Sequence, residues 1–228
     1  TPGPWAAAIA GLLGAAIAAL PAGRRHLVAL AGPPGAGKST LAEQAAGHFP
    51  GATVLPMDGY HLDNRLLAER GLLDRKGAPE TFDAAGYAHL LERVRDETQT
   101  EVYVPGFDRD LEQPLAAALV VLPGVRLVIT EGNYLLLDTE PWARARRAMD
   151  RVWFVESAES LRLDRLVARH VEFGKPPGAA RAWVADVDQV NAALVSPTAR
   201  AAVCTRAMLS PRWTEAKPPE SASAPWSP

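Results

Sequence analysis

Residues 32–39 read GPPGAGKS, the spacing G-x-x-x-x-G-K-[ST], with the apolar run HLVALA shortly before it and a helical stretch opening at Lys38. That setting suits a loop that cradles phosphates. Gly32, Gly35 and Gly37 let backbone N–H groups point inward and approach phosphate oxygens, Pro33, Pro34 and Ala36 complete the loop, and the helix adds its positive N-terminal end. Lys38 is placed to reach β- and γ-phosphates, Ser39 to offer its hydroxyl to Mg²⁺, and Thr40 to support the α-phosphate. ATP with Mg²⁺ is the expected cofactor, with no adenine-reading motif beside it. Switches, motors, ATPases and kinases share such a loop, so the acceptor side must decide the reaction. The guanine-reading pattern N-K-x-D and helicase repeats are both absent from the sequence, which leaves small-molecule kinases.

Two carboxylates have the right positions. Asp58, in MDGYH, follows a strand candidate at 52–57 and falls at the carboxyl end of a strand, where open α/β sheets bind ligands. A carboxylate there can orient an acceptor hydroxyl and take its proton; the competing reading is a helix or turn cap before Gly59. Glu131 ends the apolar stretch RLVITEG, the usual place for an acid that holds Mg²⁺ or its water shell, with Glu in place of the commoner Asp. Its competing reading is a capping glutamate. On a helix over 157–173, Arg162, Arg165 and Arg169 form a row beside the stripe Leu163, Leu166, Val167 and His170. Arginines closing over a transferring phosphoryl group stabilise its charge; a solvated arginine face is the alternative. GKPPG at 174–178 breaks this helix and suits a turn in a lid.

The elements that must position these groups alternate. Strand candidates at 26–31, 52–57, 101–104, 126–130 and 152–155 are separated by helical stretches, which implies a mostly parallel sheet covered on both faces. The 228 residues are 48% apolar and 22% charged with a net charge of −2, which suits one globular domain with one core over 1–213. The Pro/Ser/Ala-rich stretch 214–228 is expected to be a tail. Nearly balanced charge argues against nucleic acid, and RARR at 144–147 suits a solvated helix face. The single Cys204 allows no intramolecular disulfide and suits a reducing, cytoplasmic setting. Four of the 24 basic residues are lysine, so each lysine is informative. The uncharged stretch 1–23 holds a helix over 4–21 too short and too diluted by Ala and Gly to span a bilayer of about 20 residues. It suits packing onto the core or onto a second copy in a homodimer; attachment to a membrane transporter is the competing reading.

Three further segments, MDGYHLDNRLLAERGLLDRKGAPETFD (57–83), VYVPGFDRDLEQP (102–114) and EGNYLLLD (131–138), follow the phosphate loop in order. With it they resemble the phosphoribulokinase/uridine kinase-like group of P-loop kinases over roughly residues 25–195, with bacterial nucleoside/nucleotide kinase-family and fructose-transport-system kinases nearest and bacterial pantothenate kinase as a cousin. The resemblance implies a three-layer α/β P-loop NTPase sandwich with a helical lid at 157–190 and an acceptor cap from 59–83 and 102–114. It implies transfer of the ATP γ-phosphate to an alcohol of a sugar or nucleoside-like metabolite, with Asp58 and Lys38 catalytic and Arg165 and Arg169 supplied by the lid. It also implies that Tyr60, His61, Arg75, Lys76, Phe82, Asp83, Tyr103, Phe107, Arg109, Asn133 and Tyr134 line or brace the acceptor pocket, with Ser39 and Glu131 on the metal. Asn191 matches a position after the lid. A pantothenate-like or glycerate-like acceptor stays open, as does a nucleotide-binding regulator or ATPase that phosphorylates nothing.

Overall fold

The computed structural model describes Gly14, residues 23–202 and residues 204–209. The helix expected over 4–21 (apart from Gly14) and the tail at 214–228 therefore lie outside the described residues. β1 (His26–Ala31) is buried along its whole length, as its unbroken apolar run requires of a strand covered on both sides. Its alternate residues divide the core. Val28 and Leu30 pack with Leu41, Ala42 and Ala45 of α1 (Lys38–His48), whereas Leu27, Ala29 and Ala31 join the cluster that holds Tyr87, Leu91 and Trp142.

The main sheet contains β1, β2 (Ala52–Pro56), β5 (Leu127–Gly132), β6 (Arg151–Ser157) and β7 (Cys204–Leu209), in the order β2-β5-β1-β6-β7 and parallel throughout. α1 covers one face; α3 (Ala84–Asp96) and α4 (Trp142–Arg147) cover the other. The result is the expected three-layer sandwich. A buried hydroxyl chain ties helix to sheet: Thr130 Oγ1 donates to the Leu55 carbonyl at 2.6 Å, so Tyr87 O–H donates to Thr130 Oγ1 at 2.5 Å. Arg25 is buried ahead of β1 and donates to four carbonyls, those of Val94, Glu97, Leu122 and Val125, at 2.7–3.0 Å.

One strand assignment needs correction. The candidate at 101–104 does not enter the parallel sheet; it opens β3 (Val102–Asp108), which pairs antiparallel with β4 (Gln113–Val121) in a separate two-stranded sheet. Gly59 allows this hairpin to seat on the turn after β2: a Cβ there would stand 2.3 Å from the Pro105 carbonyl oxygen. The lid helix α5 (Glu159–Glu172) begins two residues later than expected, because Ser157 still belongs to β6. α2 (Asn64–Glu69), α6 (Pro177–Trp183), a π-helical turn at Val184–Asp188 and α7 (Gln189–Val195) complete the cap and lid.

Candidate active site

Because β2, β5 and β1 are neighbours, their carboxyl ends bring residues distant in sequence to one edge. Glu131 on β5 is paired with Leu30 and with Pro56, so the phosphate loop, Glu131 and Asp58 surround one opening. The loop is held open by its backbone: Gly35 has φ +76° and Gly37 has φ +91°, and a Cβ on Gly35 would lie 2.8 Å from the Arg162 carbonyl oxygen of α5. Lys38 crosses the loop, donating from Nζ to the Pro33 carbonyl at 3.0 Å and to Asn133 Oδ1 at 2.7 Å. Ser39 Oγ donates to Glu131 Oε1 at 3.0 Å.

These groups open into a cleft of about 620 Å³. Its phosphate end holds Pro34, Gly35, Gly37, Lys38, Ser39, Thr40 and Glu131, faced across the cleft by Arg165 and Arg169 of α5. Its other end is built from His61, Lys76, Phe82, Phe107, Arg109 and Asn191. Asp58 stands between the two, with its side chain 24% exposed, and Arg109 Nη2 donates to its Oδ2 at 2.5 Å. His61 packs at a tilt against Phe82 and Phe107, with ring centroids 4.0 and 4.9 Å away, and its Nδ1 lies 2.8 Å from the Asp58 carbonyl oxygen.

The electrostatics sort the ionisable groups. Burial alone would raise the Asp58 pKa, but the charges of His61 and Arg109 and the Arg109 hydrogen bond outweigh it and hold the carboxyl at about 2. Burial lowers His61 below the usual imidazole value against the pull of Asp58. Burial also lowers Lys38 to about 8, against the attraction of Glu131 and Asp58. Glu131 is raised by burial and by the neighbouring Asp58 charge.

Three residues expected to bind the nucleotide stand back from the cleft. Gly32, Pro33 and Ala36 are not among its lining residues. The close neighbour of Gly32 is β6, where a Cβ would stand 2.4 Å from the Val155 carbonyl oxygen. The first glycine of the motif is therefore needed for the chain to leave β1 against the adjoining strand. Pro33 accepts the Lys38 ammonium through its carbonyl, and Ala36 is in the core beside α1.

The structure also separates the expected pocket residues into two groups. Asp58, His61, Lys76, Phe82, Phe107, Arg109, Asn133, Arg165 and Arg169 line the cleft. Tyr103 does not: it is 57% exposed on the outer side of β3, where its hydroxyl donates to Glu101 Oε2 at 2.7 Å, because strand alternation turns it away. Arg75 is also outside, paired with Glu80 at 2.7 Å on the surface. Asp83 caps α3 by accepting from the Gly86 N–H at 2.8 Å, and Tyr60 packs edge-on against Tyr87 at 5.4 Å. Tyr134 is buried among Phe82 and Trp142 and donates its hydroxyl to the Gly77 carbonyl, so it braces the turn next to Lys76 without facing the cleft.

Arg162 has a different role from its neighbours in the arginine row. It is buried and donates from Nη1 to the Pro34 carbonyl at 3.2 Å and from Nη2 to Gln189 Oε1, which bolts α5 to the loop. Asn64, Glu112, Lys175, Trp183, Asp188 and His170 line the cleft without having been singled out as site residues. The scarcity of lysine could have flagged Lys175, but nothing local marks the others.

No protein-family model matches the chain. It is 37% identical over 185 residues to the uncharacterized protein YggC of Escherichia coli strain K12, covering 78% of this chain and 76% of that protein. A crystal structure from Silicibacter sp. TM1040, named as a candidate fructose transport system kinase, is 39% identical with a TM-score of 0.74 and covers 89% of this chain and 98% of that one. The chain belongs to the uridine kinase/phosphoribulokinase type of P-loop kinases. A further relative of this type, from Schizosaccharomyces pombe and named as a candidate uridine kinase, is 34% identical and covers 66% of this chain and 68% of its own length. As in other P-loop kinases, the phosphate loop joins the first strand of a parallel sheet to a helix. Among the described residues no helix is long and apolar enough to cross a membrane.

Proposed function

We propose that the protein transfers the γ-phosphoryl group of ATP to a hydroxyl of a small metabolite. The observation that carries this reading is Asp58 standing in the same cleft as Lys38, Arg165 and Arg169, between the phosphate end and a pocket of mixed aromatic and polar residues. The loop backbone from Gly35 onward and the Lys38 ammonium hold the phosphates. Ser39 Oγ and Glu131 Oε1, 3.0 Å apart, are two oxygen donors suited to Mg²⁺, an ion that takes few protein ligands and keeps waters and substrate phosphates. When bound there, Mg²⁺ neutralises charge on the phosphates.

The Asp58 carboxylate orients the acceptor hydroxyl in line with the γ-phosphorus. The bond from the γ-phosphorus to the bridging oxygen breaks, a bond to the acceptor oxygen forms, ADP leaves, and the hydroxyl proton passes to Asp58. A carboxyl held at about 2 is a weak base, which is sufficient for a loose transition state in which the proton moves late and positioning dominates. Arg165 and Arg169 meet the charge on the equatorial oxygens as the lid covers the site.

Asp58→Asn keeps the shape and removes the base. It is expected to lower transfer by about 10²-fold or more while nucleotide affinity stays within about threefold. The assay incubates the protein with Mg²⁺ATP and pooled sugars, nucleosides, polyols, glycerate and pantothenate, and detects phosphate gain by mass spectrometry. Near-normal transfer by the variant would remove Asp58 from the mechanism. A blank with the wild type alongside tight ATP binding would favour a nucleotide-binding regulator.

A further inference from the structure

The acceptor end of the cleft holds more positive charge than the transferred group uses. The chain has four lysines, and three of them, Lys38, Lys76 and Lys175, line this one cleft. Lys38 serves the phosphate loop. Lys76 Nζ donates to Asn64 Oδ1 at 2.7 Å and to the Glu112 carbonyl, both uncharged acceptors, and lies 5.2 Å from the Phe107 ring centroid. Lys175 Nζ lies 4.7 Å from the Trp183 ring centroid. Among the described residues neither ammonium forms an ion pair with a carboxylate.

An ammonium has three donors, so Lys76 keeps one after its two bonds, and the residue lines the cleft. Arg109 stands 4.9 Å from the same Phe107 centroid, on a hairpin seated beside Asp58. Lys175 and Arg109 both repel the Lys76 charge, while Glu112 and Asp58 act on it from beyond pairing distance. Gathering like charges in a half-buried pocket is unfavourable unless an anion joins them. Lys76 is also held in place: Asn64 begins α2, and the adjoining Gly77 carbonyl is fixed by the Tyr134 hydroxyl. A neutral polyol would need none of this.

We infer that the acceptor carries a carboxylate or phosphate group in addition to its hydroxyl, and that Lys76 and Lys175 bind this anion while the hydroxyl meets Asp58. The inference rests on the kinase reading above and narrows its acceptor. Lys76 and the Arg109 partner of Asp58 both stand about 5 Å from the Phe107 ring centroid, so the anion and the reacting hydroxyl meet the same end of the cleft.

The test has a binding arm and a transfer arm. The protein is saturated with Mg²⁺ and a non-hydrolysable ATP analogue, which fills the phosphate end, and is titrated calorimetrically with inorganic phosphate, glycerate and glycerol. Saturable binding of at least one anion, none of glycerol, and a loss of about tenfold or more in Lys76→Met and Lys175→Met are expected, with Lys76→Arg restoring most of it. Comparison of phosphate with glycerate tells which anion class fits. Absence of saturable anion binding, or equal binding by both variants, overturns the inference. Lys175→Met changes a loop residue after α5, so it keeps the test decisive if Lys76→Met fails to fold. In the transfer arm, glycerol is compared with glycerate and glycerol phosphate, and ribose with ribose 5-phosphate. A charged member is expected to exceed its neutral partner about tenfold or more in kcat/KM. Equal transfer to neutral members overturns the inference and leaves the kinase reading standing. Anion binding with no transfer to any acceptor overturns the kinase reading and leaves the anion site standing.

Discussion

Asp58 and Arg109 form the ion pair on which the proposed chemistry turns. Arg109 Nη2 donates to Asp58 Oδ2, so an acceptor hydroxyl that meets Asp58 shares the carboxylate with the guanidinium. Arg109→Met removes the partner and part of the charge that holds Asp58 at about 2, leaving burial to push the carboxyl up toward or beyond its usual value of about 4. The acid limb of the kcat/KM profile is therefore expected to move to higher pH in the variant; an unmoved limb would show that Asp58 does not titrate in the free enzyme. The sign for stability follows from the same ordering. The folded value lies below the unfolded one, so the pair contributes stability above about pH 4 and loses it as the pH falls through about 2. The phosphate loop, Asp58 and Glu131 are legible in the sequence because each is tied to a strand end by a short local pattern. Tyr103 and Arg75 match the family's segments equally well yet lie outside the cleft, since a motif gives position along the chain and not the direction in which a residue presents itself.

Elements carry these residues into place through a few close backbone approaches. Gly59→Ala would set a Cβ 2.3 Å from the Pro105 carbonyl oxygen, so the β3–β4 hairpin has to shift and carry Arg109 with it. We expect a loss of about 2 kcal/mol in urea denaturation and a fall in kcat/KM of about tenfold or more. Arg25→Met tests a purely structural link: four carbonyls, at the end of α3 and in the turn before β5, lose their donor at once. A cost of about 3 kcal/mol in stability with kcat/KM unchanged is expected. Neither the hairpin's second strand nor Arg25 was visible beforehand. QPLAAALVV has no polar alternation, and Glu112 and Ala117 adopt positive φ, so β4 bends without a local signal. Arg25 acquires acceptors that lie 69–100 residues away, and only the assembled sheet brings them to it.

For the whole molecule, ligand and fold are coupled. The phosphate loop, β5 and α5 all line the cleft in which we propose the nucleotide sits, so ATP with Mg²⁺ at about 100 times its Kd is expected to stabilise by about 2.7 kcal/mol, a rise of about 5–10 °C in Tm. Chelation of the metal is expected to reduce this shift and to abolish transfer. A Tm that ignores ATP would contradict nucleotide binding at the loop. The sandwich and its lid were foreseeable because strands and helices alternate, whereas the meeting of Asn64, Lys76, Lys175 and Asp188 was not, because they come from four separate segments that only tertiary packing joins.

The order β2-β5-β1 also bears on how the chain acquires its activity. β1 finds its partner β5 about a hundred residues downstream, with His26 beside Leu127, and Lys38 and Ser39 find theirs in Asn133 and Glu131. Such distant pairing is slow to form and leaves the loop without Glu131, the carboxylate that accepts from Ser39, until the second half of the chain has arrived. An N-terminal fragment ending before β5, although it contains the entire glycine loop, lacks Asn133 and Glu131, and its lysine keeps only the Pro33 carbonyl. Such a fragment is therefore expected to hold ATP more weakly than the full chain, which titration of both with the nucleotide would check.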